Sequence, residues 1–441
     1  MIEIKRDKYL EMLKIRMHNG FVKVITGIRR CGKSYLLNEI FYNYLIESGV
    51  KESNIIKFAF DSASNLKMIG EDLFQLKKNK QKVNPNKFMD YIEQKIDDKE
   101  DYFLLLDEVQ NLDCFETVLN GYLRQKNLDI YVTGSNSKFL SKDVLTEFAG
   151  RGDEIHILPL SFSEFYACYG ESGGESERSL SILDYAFDDY MVYGGLPAIV
   201  NMKTPEQKAT YLKTQIDNVY LKDIIERYNL STEENIGELM NIIASGISTL
   251  TNPTKLANTF KTVKNANLSP ATINNYIEYM QEAFIISKVN RYDVKGKKYI
   301  NTPYKIYFED NGLRNARLDF RQIENTHIME NVIYNELRFR GYNVDVGVVE
   351  IRESNGETQV RKQLEIDFIA NQGNKRFYIQ SAYDIPTSEK MEQETKSFDK
   401  VDDSFKKILI VEKSMKPRRN EKGYLMLGVK EFLLDPNSLE I

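Results

Sequence analysis

Two hydrophobic patterns alternate along the first third of the chain. Residues 20–26, 102–106 and 129–133 are nearly continuous apolar runs, which are typical of strands buried on both faces of a parallel sheet. Residues 34–41 carry apolar side chains at helical spacing instead. Buried strands that alternate with helices predict an α/β core with a parallel sheet, and we expect it over residues 1–165.

The segment between the first strand and the first helix fits the nucleotide-binding pattern G-x-x-x-x-G-K-[ST]. Glycines let backbone N–H groups turn around phosphate oxygens, and the following helix N-terminus adds a positive dipole end. Lys33 is expected to reach the β- and γ-phosphates, and Ser34 to bind Mg²⁺. The candidate phosphate-binding residues are Gly27, Ile28, Arg29, Arg30, Cys31, Gly32, Lys33 and Ser34.

The second strand ends in two carboxylates, Asp107 and Glu108. Ligands meet the carboxyl ends of parallel strands, so both side chains are expected at the nucleotide. Asp107 is our candidate Mg²⁺ ligand, directly or through water, and Glu108 is our candidate base for the attacking water. The pair therefore indicates hydrolysis of the nucleotide as well as binding.

The third strand ends in small polar residues, of which Thr133, Ser135 and Asn136 are candidates for sensing the γ-phosphate. The same residue types are also favoured in ordinary turns. Arg151 lies between two glycines downstream and is our candidate arginine finger for charge that develops on the phosphoryl group. Whether it acts within its own chain or on a neighbour stays open, and a solvated loop arginine is the alternative.

These blocks resemble those of a prokaryotic family of AAA-type P-loop ATPases whose ATPase domain precedes a C-terminal domain of poorly defined function. The resemblance rests on the segments 27–34, 106–110, 132–137 and 159–165, and spans most of the chain. It implies that ATP, with Mg²⁺, is the nucleotide. It also implies that the segment 193–197, Tyr-Gly-Gly-Leu-Pro, belongs to a helical lid, which we expect over residues 166–235; composition alone predicts only a turn there.

Residues 236–320 show helices followed by a hairpin, the layout of a winged helix. Pro270 opens a helix with one apolar face, and the hairpin is expected at 286–294 and 299–308 around a lysine-rich turn. Residues 251–300 are locally basic in a chain of net charge -5. We expect this segment to be the surface for double-stranded DNA, if DNA is bound. A module for protein contacts, or an ATPase lid, is the alternative.

Residues 321–441 resemble the restriction-endonuclease-like fold, with Glu336 on a helix, Asp367 on one strand and Gln380 on the next. Asp367 fits the metal-binding aspartate of that fold. Gln380 stands where a second acidic residue is usual, and Ala382 replaces the lysine. With that charge missing we expect little or no nuclease activity, unless Lys375 or Lys390 turns inward.

Composition narrows the remaining choices. The 441 residues contain three cysteines, too few and too widely spaced for a disulfide framework, and no apolar run long enough to span a membrane. Without a signal peptide pattern, we expect a cytoplasmic protein. The expected function is ATP hydrolysis coupled to movement of the C-terminal module. A regulatory switch that binds a protein partner and an active DNA-processing nuclease are the alternatives, and the oligomeric state stays open.

Overall fold

The structure is a computed structural model that describes residues 4–97, 100–134, 148, 150–169, 177–230, 233–264, 267–355 and 358–441. Within it the chain forms two compact units. The first comprises Glu3–Leu158 and Glu282–Phe284, and the second comprises Pro159–Gln281 and Ile285–Ile441.

The first unit alternates strands and helices, as the hydrophobic pattern predicts. Its strands are β1 Val22–Thr26, β2 Ile55–Ala59, β3 Tyr102–Asp107, β4 Leu128–Thr133 and β5 Gly152–His156. Its helices are α1 Asp7–Ile15, α2 (residues 33–47, π-helical over Leu36–Phe41), α3 Ala63–Met68, α4 Leu73–Asn79, α5 Pro85–Glu93 and α6 Phe115–Tyr122.

All five strands pair in parallel in the order β2-β3-β4-β1-β5. The prediction of a parallel α/β core is confirmed. The sheet is buried on both faces, which explains the continuous apolar runs of β1 and β3. Because the strands run in one direction, Thr26, Asp107 and Thr133 end at the same edge of the sheet.

One ion pair lies inside this apolar sheet. Lys23 on β1 and Asp129 on β4 form a salt bridge with side chains that are 0% and 3% exposed. The carboxylate also accepts hydrogen bonds from the Tyr131 hydroxyl and the His18 backbone N–H, both at 3.0 Å. Burial lowers the pKa of Lys23 against the pull of Asp129, so the ammonium depends on this partner for its charge.

The second unit begins with helices and ends in a large sheet. Its helices are α7 Phe162–Ala167, α8 Glu177–Tyr193, α9 (residues 205–228), α10 Glu233–Ser245, α11 Pro253–Lys264, α12 Pro270–Glu282, α13 Asn311–Arg317, α14 Asn325–Phe339, α15 Ser388–Thr395 and α16 Val429–Leu434. Its strands are β6 Ile286–Asp293, β7 Lys298–Phe308, β8 Asn343–Asn355, β9 Thr358–Gln372, β10 Lys375–Ala382, β11 Lys406–Val411, β12 Arg418–Arg419 and β13 Leu425–Gly428.

The β6–β7 hairpin belongs to the large sheet, whose order is β12-β13-β11-β10-β9-β8-β6-β7. Strand β6 pairs in parallel with β8, for example Tyr292 with Gly347. In the domain division expected from sequence, this hairpin is separate from residues 321–441. The boundary at 320/321 falls inside one compact unit because the hairpin makes its hydrogen bonds with strands far along the chain.

The Tyr-Gly-Gly-Leu-Pro segment is held by one buried carboxylate in this unit. Asp310 accepts the Gly195 N–H at 2.7 Å and the Leu313 N–H at 3.0 Å. A Cβ on Gly194 would lie 2.3 Å from the same carboxylate, which explains the glycine there. Burial raises the pKa of Asp310 to about 6 despite these donors. The segment 193–197 thus connects α8 to a short 3-10 helix, Pro197–Asn201, and its glycines contact Asp310 directly before α13.

Among the residues described, no helix combines the length and the apolar character that crossing a membrane requires.

Candidate nucleotide-binding site

The loop between β1 and α2 has the backbone conformation that its glycines predict. Gly27 has φ 142° and Gly32 has φ 102°, both in the left-handed half of backbone space. A Cβ on Gly27 would lie 2.2 Å from the Ile157 carbonyl oxygen. Only glycine fits there, because the loop passes directly over the chain that leaves β5.

Lys33 reaches back across this loop. Its Nζ donates hydrogen bonds to the carbonyl oxygens of Gly27 at 2.9 Å and Ile28 at 3.0 Å, and the residue is only 5% exposed. The ammonium is therefore held inside the curve of the loop, where phosphate oxygens of a bound nucleotide would replace the two carbonyls. Cys31 is buried within the same loop and leaves no thiol at the surface.

A hydrogen-bonded chain joins the ends of α2, β3 and β4. The Ser34 hydroxyl donates to Asp107 Oδ1 at 3.0 Å, and the Thr133 hydroxyl donates to the same oxygen. The Thr133 oxygen in turn accepts the Glu108 backbone N–H at 3.1 Å. Four residues from three separate segments are thus connected at the edge of the sheet next to the glycine loop.

The two carboxylates of this hydrogen-bonded network, Asp107 and Glu108, have different surroundings. Burial raises the pKa of Asp107, while the Thr133 and Ser34 hydroxyls oppose that rise by stabilising the charged form. Glu108 is less buried, has φ 52°, and accepts a hydrogen bond from the Gln110 amide. One carboxylate is thus locked to two hydroxyls, while the other stands at the turn that follows the strand.

These donors suit Mg²⁺, which takes oxygen ligands and usually keeps several waters while binding only one or two protein groups. Ser34 and Asp107 already share a hydrogen bond, so their oxygens are close enough to bind one small cation together. Phosphate oxygens of the nucleotide would supply further ligands. The two residues that the sequence analysis assigns to Mg²⁺ therefore lie together.

Two residues near the site were missed by the sequence analysis. Asp61 follows β2, and burial, with the negative charge of nearby Glu108, raises its pKa. A carboxylate directly after a parallel strand was the available signal. Arg6 donates to the Leu158 carbonyl at 2.6 Å and lies 3.5 Å from that of Cys31, which supports the loop from behind; no local pattern marks it.

Arg151 is not brought to this site within its own unit. It precedes β5, and its carbonyl accepts the Val22 N–H at 2.9 Å, so it lies at the amino edge of the sheet. The glycine loop leaves the opposite edge, about 16 Å away at 3.3 Å per strand residue. The other predicted sensors, Ser135 and Asn136, lie outside the described residues.

A second cluster of ionisable side chains lies in the second unit. Lys305 on β7 is 3% exposed and its Nζ lies 2.8 Å from Glu330, 2.8 Å from Glu365 and 3.5 Å from Asp367. Tyr307 donates to Glu330 at 2.7 Å. Burial opposes the charge of Lys305, but the three carboxylates outweigh it and raise the pKa of the ammonium.

This cluster differs from the one that the restriction-endonuclease resemblance implies. Glu330, six residues before Glu336, supplies the helix carboxylate, while Glu336 bonds to Arg340 at 2.8 Å. Lys375 and Lys390 instead pair with Glu440 and Glu394. The lysine at the cluster is Lys305 on the β6–β7 hairpin. It lies 25 or more residues before its carboxylate partners in the chain, so no local pattern predicts its place there.

Asp367 and Gln380 lie opposite each other on β9 and β10, as that resemblance implies. The Gln380 side-chain oxygen accepts the Asp367 backbone N–H at 3.4 Å, and Asp367 Oδ2 accepts the Ser381 N–H at 2.8 Å. Burial and the charge of Glu330 raise the pKa of Asp367. Asp367 is therefore bound on both oxygens by groups of the protein itself.

Comparison with known proteins adds two family models. Residues 19–166 match the model of an AAA domain, and residues 184–324 match a domain of unknown function, DUF8612. A Haemophilus influenzae protein with no assigned function is 32% identical over 411 residues, covering 93% of this chain and 94% of the relative. A protein of Methanocaldococcus jannaschii, also uncharacterized, is 27% identical over 395 residues, covering 88% and 80%.

Among solved structures, the Walker-type ATPase of Pyrococcus abyssi is similar with a TM-score of 0.47 and 15% identity, covering 72% of this chain and 96% of that one. Taken with the glycine loop and the two family models, the extent and identity of the Haemophilus match assign the family. The chain belongs to a family of P-loop AAA ATPases, shared with the Haemophilus influenzae protein, in which the AAA domain is followed by a domain of unknown function.

Proposed function

We propose that the protein hydrolyses ATP in a Mg²⁺-dependent reaction at the edge of the first unit's sheet. The observation that carries this proposal is the hydrogen-bonded chain of Ser34, Asp107, Thr133 and Glu108 beside the loop that holds Lys33. ATP is preferred to other nucleoside triphosphates because of the family resemblance, since no group that reads the base is identified.

Each residue has one task in this mechanism. The loop N–H groups and Lys33 would hold the β- and γ-phosphates, and Ser34 and Asp107 would hold Mg²⁺, whose charge would stabilise the negative charge on the phosphate oxygens. Glu108 accepts a proton from a water whose oxygen attacks the γ-phosphorus. The bond from that phosphorus to the bridging oxygen breaks, and ADP and phosphate leave.

Thr133 positions the base in this scheme. Its hydroxyl connects Asp107, the proposed Mg²⁺ ligand, to the backbone of Glu108. A shift of Asp107 on loss of the γ-phosphate or of Mg²⁺ would therefore be transmitted to the position of Glu108. Ser135 is retained as a proposed γ-phosphate contact. An arginine finger from Arg151 would have to act on a neighbouring subunit, because the residue lies at the far edge of its own sheet.

We further propose that ATP turnover is coupled to the second unit, and that this unit binds double-stranded DNA within residues 251–300. The succession α10, α11, α12 and the β6–β7 hairpin supports a winged helix there. The proposed domains are an ATPase core (1–165), a helical lid (166–235), a winged helix (236–320) and a nuclease-like domain (321–441), and the last two share one sheet. A regulatory switch for a protein partner is the alternative.

The test is ATP hydrolysis by the purified full chain with and without duplex DNA. Glu108→Gln keeps the shape of the side chain and removes the base, so we expect turnover to fall at least about a hundredfold. Glu39→Gln is the matched control, since Glu39 is an exposed carboxylate on α2. Unchanged turnover in Glu108→Gln would refute the assigned base. A rate unaffected by DNA would favour the protein-partner alternative.

We propose that the carboxylate cluster is not a working nuclease site. Lys305 occupies the space among the carboxylates that a metal ion would need, and its ammonium already neutralises part of their charge. Full-length protein should leave duplex DNA intact in the presence of Mg²⁺ or Mn²⁺. Cleavage that disappears in Asp367→Asn would contradict this proposal.

A further inference from the structure

An open groove of about 1170 Å³ lies on the second unit. One wall is the outer face of α11, including Lys255 and Asn258, and another is the first turn of α12. The floor and far wall come from the hairpin, with Lys288 on β6 and Asn301 on β7. All of these elements belong to the same compact unit.

The chemistry of the groove is unusual for this chain. No carboxylate lines it within the part of the chain that the structure describes, although the sequence has 65 acidic residues among 441. Its charged groups are two lysines, and most of its other lining side chains are amides and hydroxyls. A surface of this kind attracts a ligand that combines negative charge with many hydrogen-bond acceptors.

One of the two lysines of the groove, Lys288, lies against the ring of a buried tyrosine. Tyr304 is 1% exposed, and the Lys288 ammonium lies 4.4 Å from the centre of its ring. The Tyr304 hydroxyl makes no hydrogen bond to any described residue, and burial raises its pKa to about 12, so it keeps its proton as an unused donor. A buried donor without a hydrogen-bond partner is costly.

The remaining donors point to an extended ligand. The side-chain amides of Asn258 on α11 and Asn301 on β7 both line the groove, are exposed, and have no partner among the described residues. The helix α12 begins at the groove, with Ser269 capping it through the Thr272 N–H at 3.0 Å. Helix N-termini, lysines and amides are the groups that contact nucleic-acid backbones and base edges.

We infer that this groove, and not the lysine-rich tip of the hairpin, is the principal contact surface for double-stranded DNA. The inference rests on the proposed DNA binding and names the residues that carry it: Lys255 and Lys288 contact phosphates, and Asn258 and Asn301 contact the same backbone or the adjoining base edges. The tip lysines, Lys295, Lys297 and Lys298, surround an exposed turn, and Asp293 beside them accepts the Gly296 N–H at 2.9 Å.

Two variants with the same loss of charge distinguish the surfaces. Lys255→Gln/Lys288→Gln removes two positive charges from the groove, and Lys295→Gln/Lys297→Gln removes two from the tip. Binding of each full-length protein to a labelled duplex of about 20 base pairs is measured by fluorescence anisotropy across a salt series. Thermal unfolding of each variant, and its ATP hydrolysis without DNA, verify that fold and nucleotide site are intact.

We expect the groove variant to bind about tenfold or more weakly, with the slope of log K against log salt reduced by about 2, because two phosphate contacts are lost. The tip variant should stay within about threefold of the unaltered protein. Asn258→Ala/Asn301→Ala, which changes no charge, should also weaken binding.

Equal losses in the two lysine variants would mean that only overall charge matters, and a larger loss in the tip variant would move the contact to the tip; either result overturns the inference. Absence of duplex binding by the unaltered protein overturns it as well, and would leave the protein-partner reading. Failure of the ATPase proposal is recognised separately, because it appears as hydrolysis that survives Glu108→Gln whatever the DNA result.

Discussion

Replacement of Thr133 by valine isolates the contribution of a single hydroxyl. Valine has nearly the same shape, so the fully buried position stays filled while both hydrogen bonds of the hydroxyl are lost. The Glu108 N–H then has no acceptor, and Asp107 retains only the hydroxyl of Ser34. The variant therefore leaves the proposed base, Glu108, in place and removes only the group proposed to position it.

The expected size follows from these two bonds. An unpaired buried N–H costs about 1–3 kcal/mol, and the lost bond to a carboxylate is worth about 1.5–3 kcal/mol. Part of this cost is relieved when Glu108 turns away from its position. If that displacement raises the barrier by about 1.4–2.7 kcal/mol, kcat falls about 10- to 100-fold. The KM for ATP should change little, since Lys33 and the glycine loop are untouched.

Steady-state hydrolysis and ATP binding are measured for the unaltered protein, Thr133→Val and Thr133→Ser. Serine restores the hydroxyl and is expected to recover most of kcat. Equal turnover in all three proteins would refute the positioning role. A fall in the serine variant as large as in the valine variant would show that the methyl group matters and the hydroxyl does not. Loss of ATP binding in Thr133→Val alone would place the effect on the glycine loop.

Two further predictions concern buried charges. Asp129→Asn leaves the Lys23 ammonium opposite a neutral amide and should lower the free energy of unfolding by about 3–5 kcal/mol. Adding Lys23→Met to this variant should restore most of the loss. Urea unfolding measures both variants, and simple additivity of the two single losses would contradict the pairing. Asp310 has a pKa of about 6 in the fold against an ordinary value of 3.8. Between these two pH values the folded chain holds a proton that the unfolded chain releases. The free energy of unfolding therefore falls by about 3 kcal/mol as pH rises from about 4 to about 6. Asp310→Asn should be less stable throughout but lack this slope in denaturation curves, and an unchanged slope would exclude Asp310 as its source.

Local patterns predicted several elements of this fold within a few residues. The strands 102–106 and 129–133 appear as Tyr102–Asp107 and Leu128–Thr133, and the helix opened by Pro270 is Pro270–Glu282. The glycine loop was equally predictable, because its residues are consecutive and their backbone conformations follow from residue type. The hairpin was located as well, but its membership of the C-terminal sheet was not.

The choice of the helix carboxylate in the second cluster and the position of Arg151 in the sheet both depend on segments that are distant in sequence. Glu330 and Glu336 both suit an amphipathic helix. Their separation of six residues corresponds to about 600° of helical rotation, so the two side chains leave the helix in different directions. Only packing selects the one that faces Lys305. Arg151 looked like a finger because it follows the third strand. The parallel register of β5 with β1 carries it to the opposite edge of the sheet.

The sequence by itself indicated the strands and helices named above, the phosphate loop and the candidate carboxylates Asp107 and Glu108, since each depends on residues within a few positions of one another. Only the tertiary structure decided that Thr133 bridges Asp107 and Glu108, that Asp61 lies near Glu108, and that Lys305 enters the carboxylate cluster. Those contacts depend on strand order and register, which arise from burial and hydrogen bonding among segments far apart in the chain and leave no local signature.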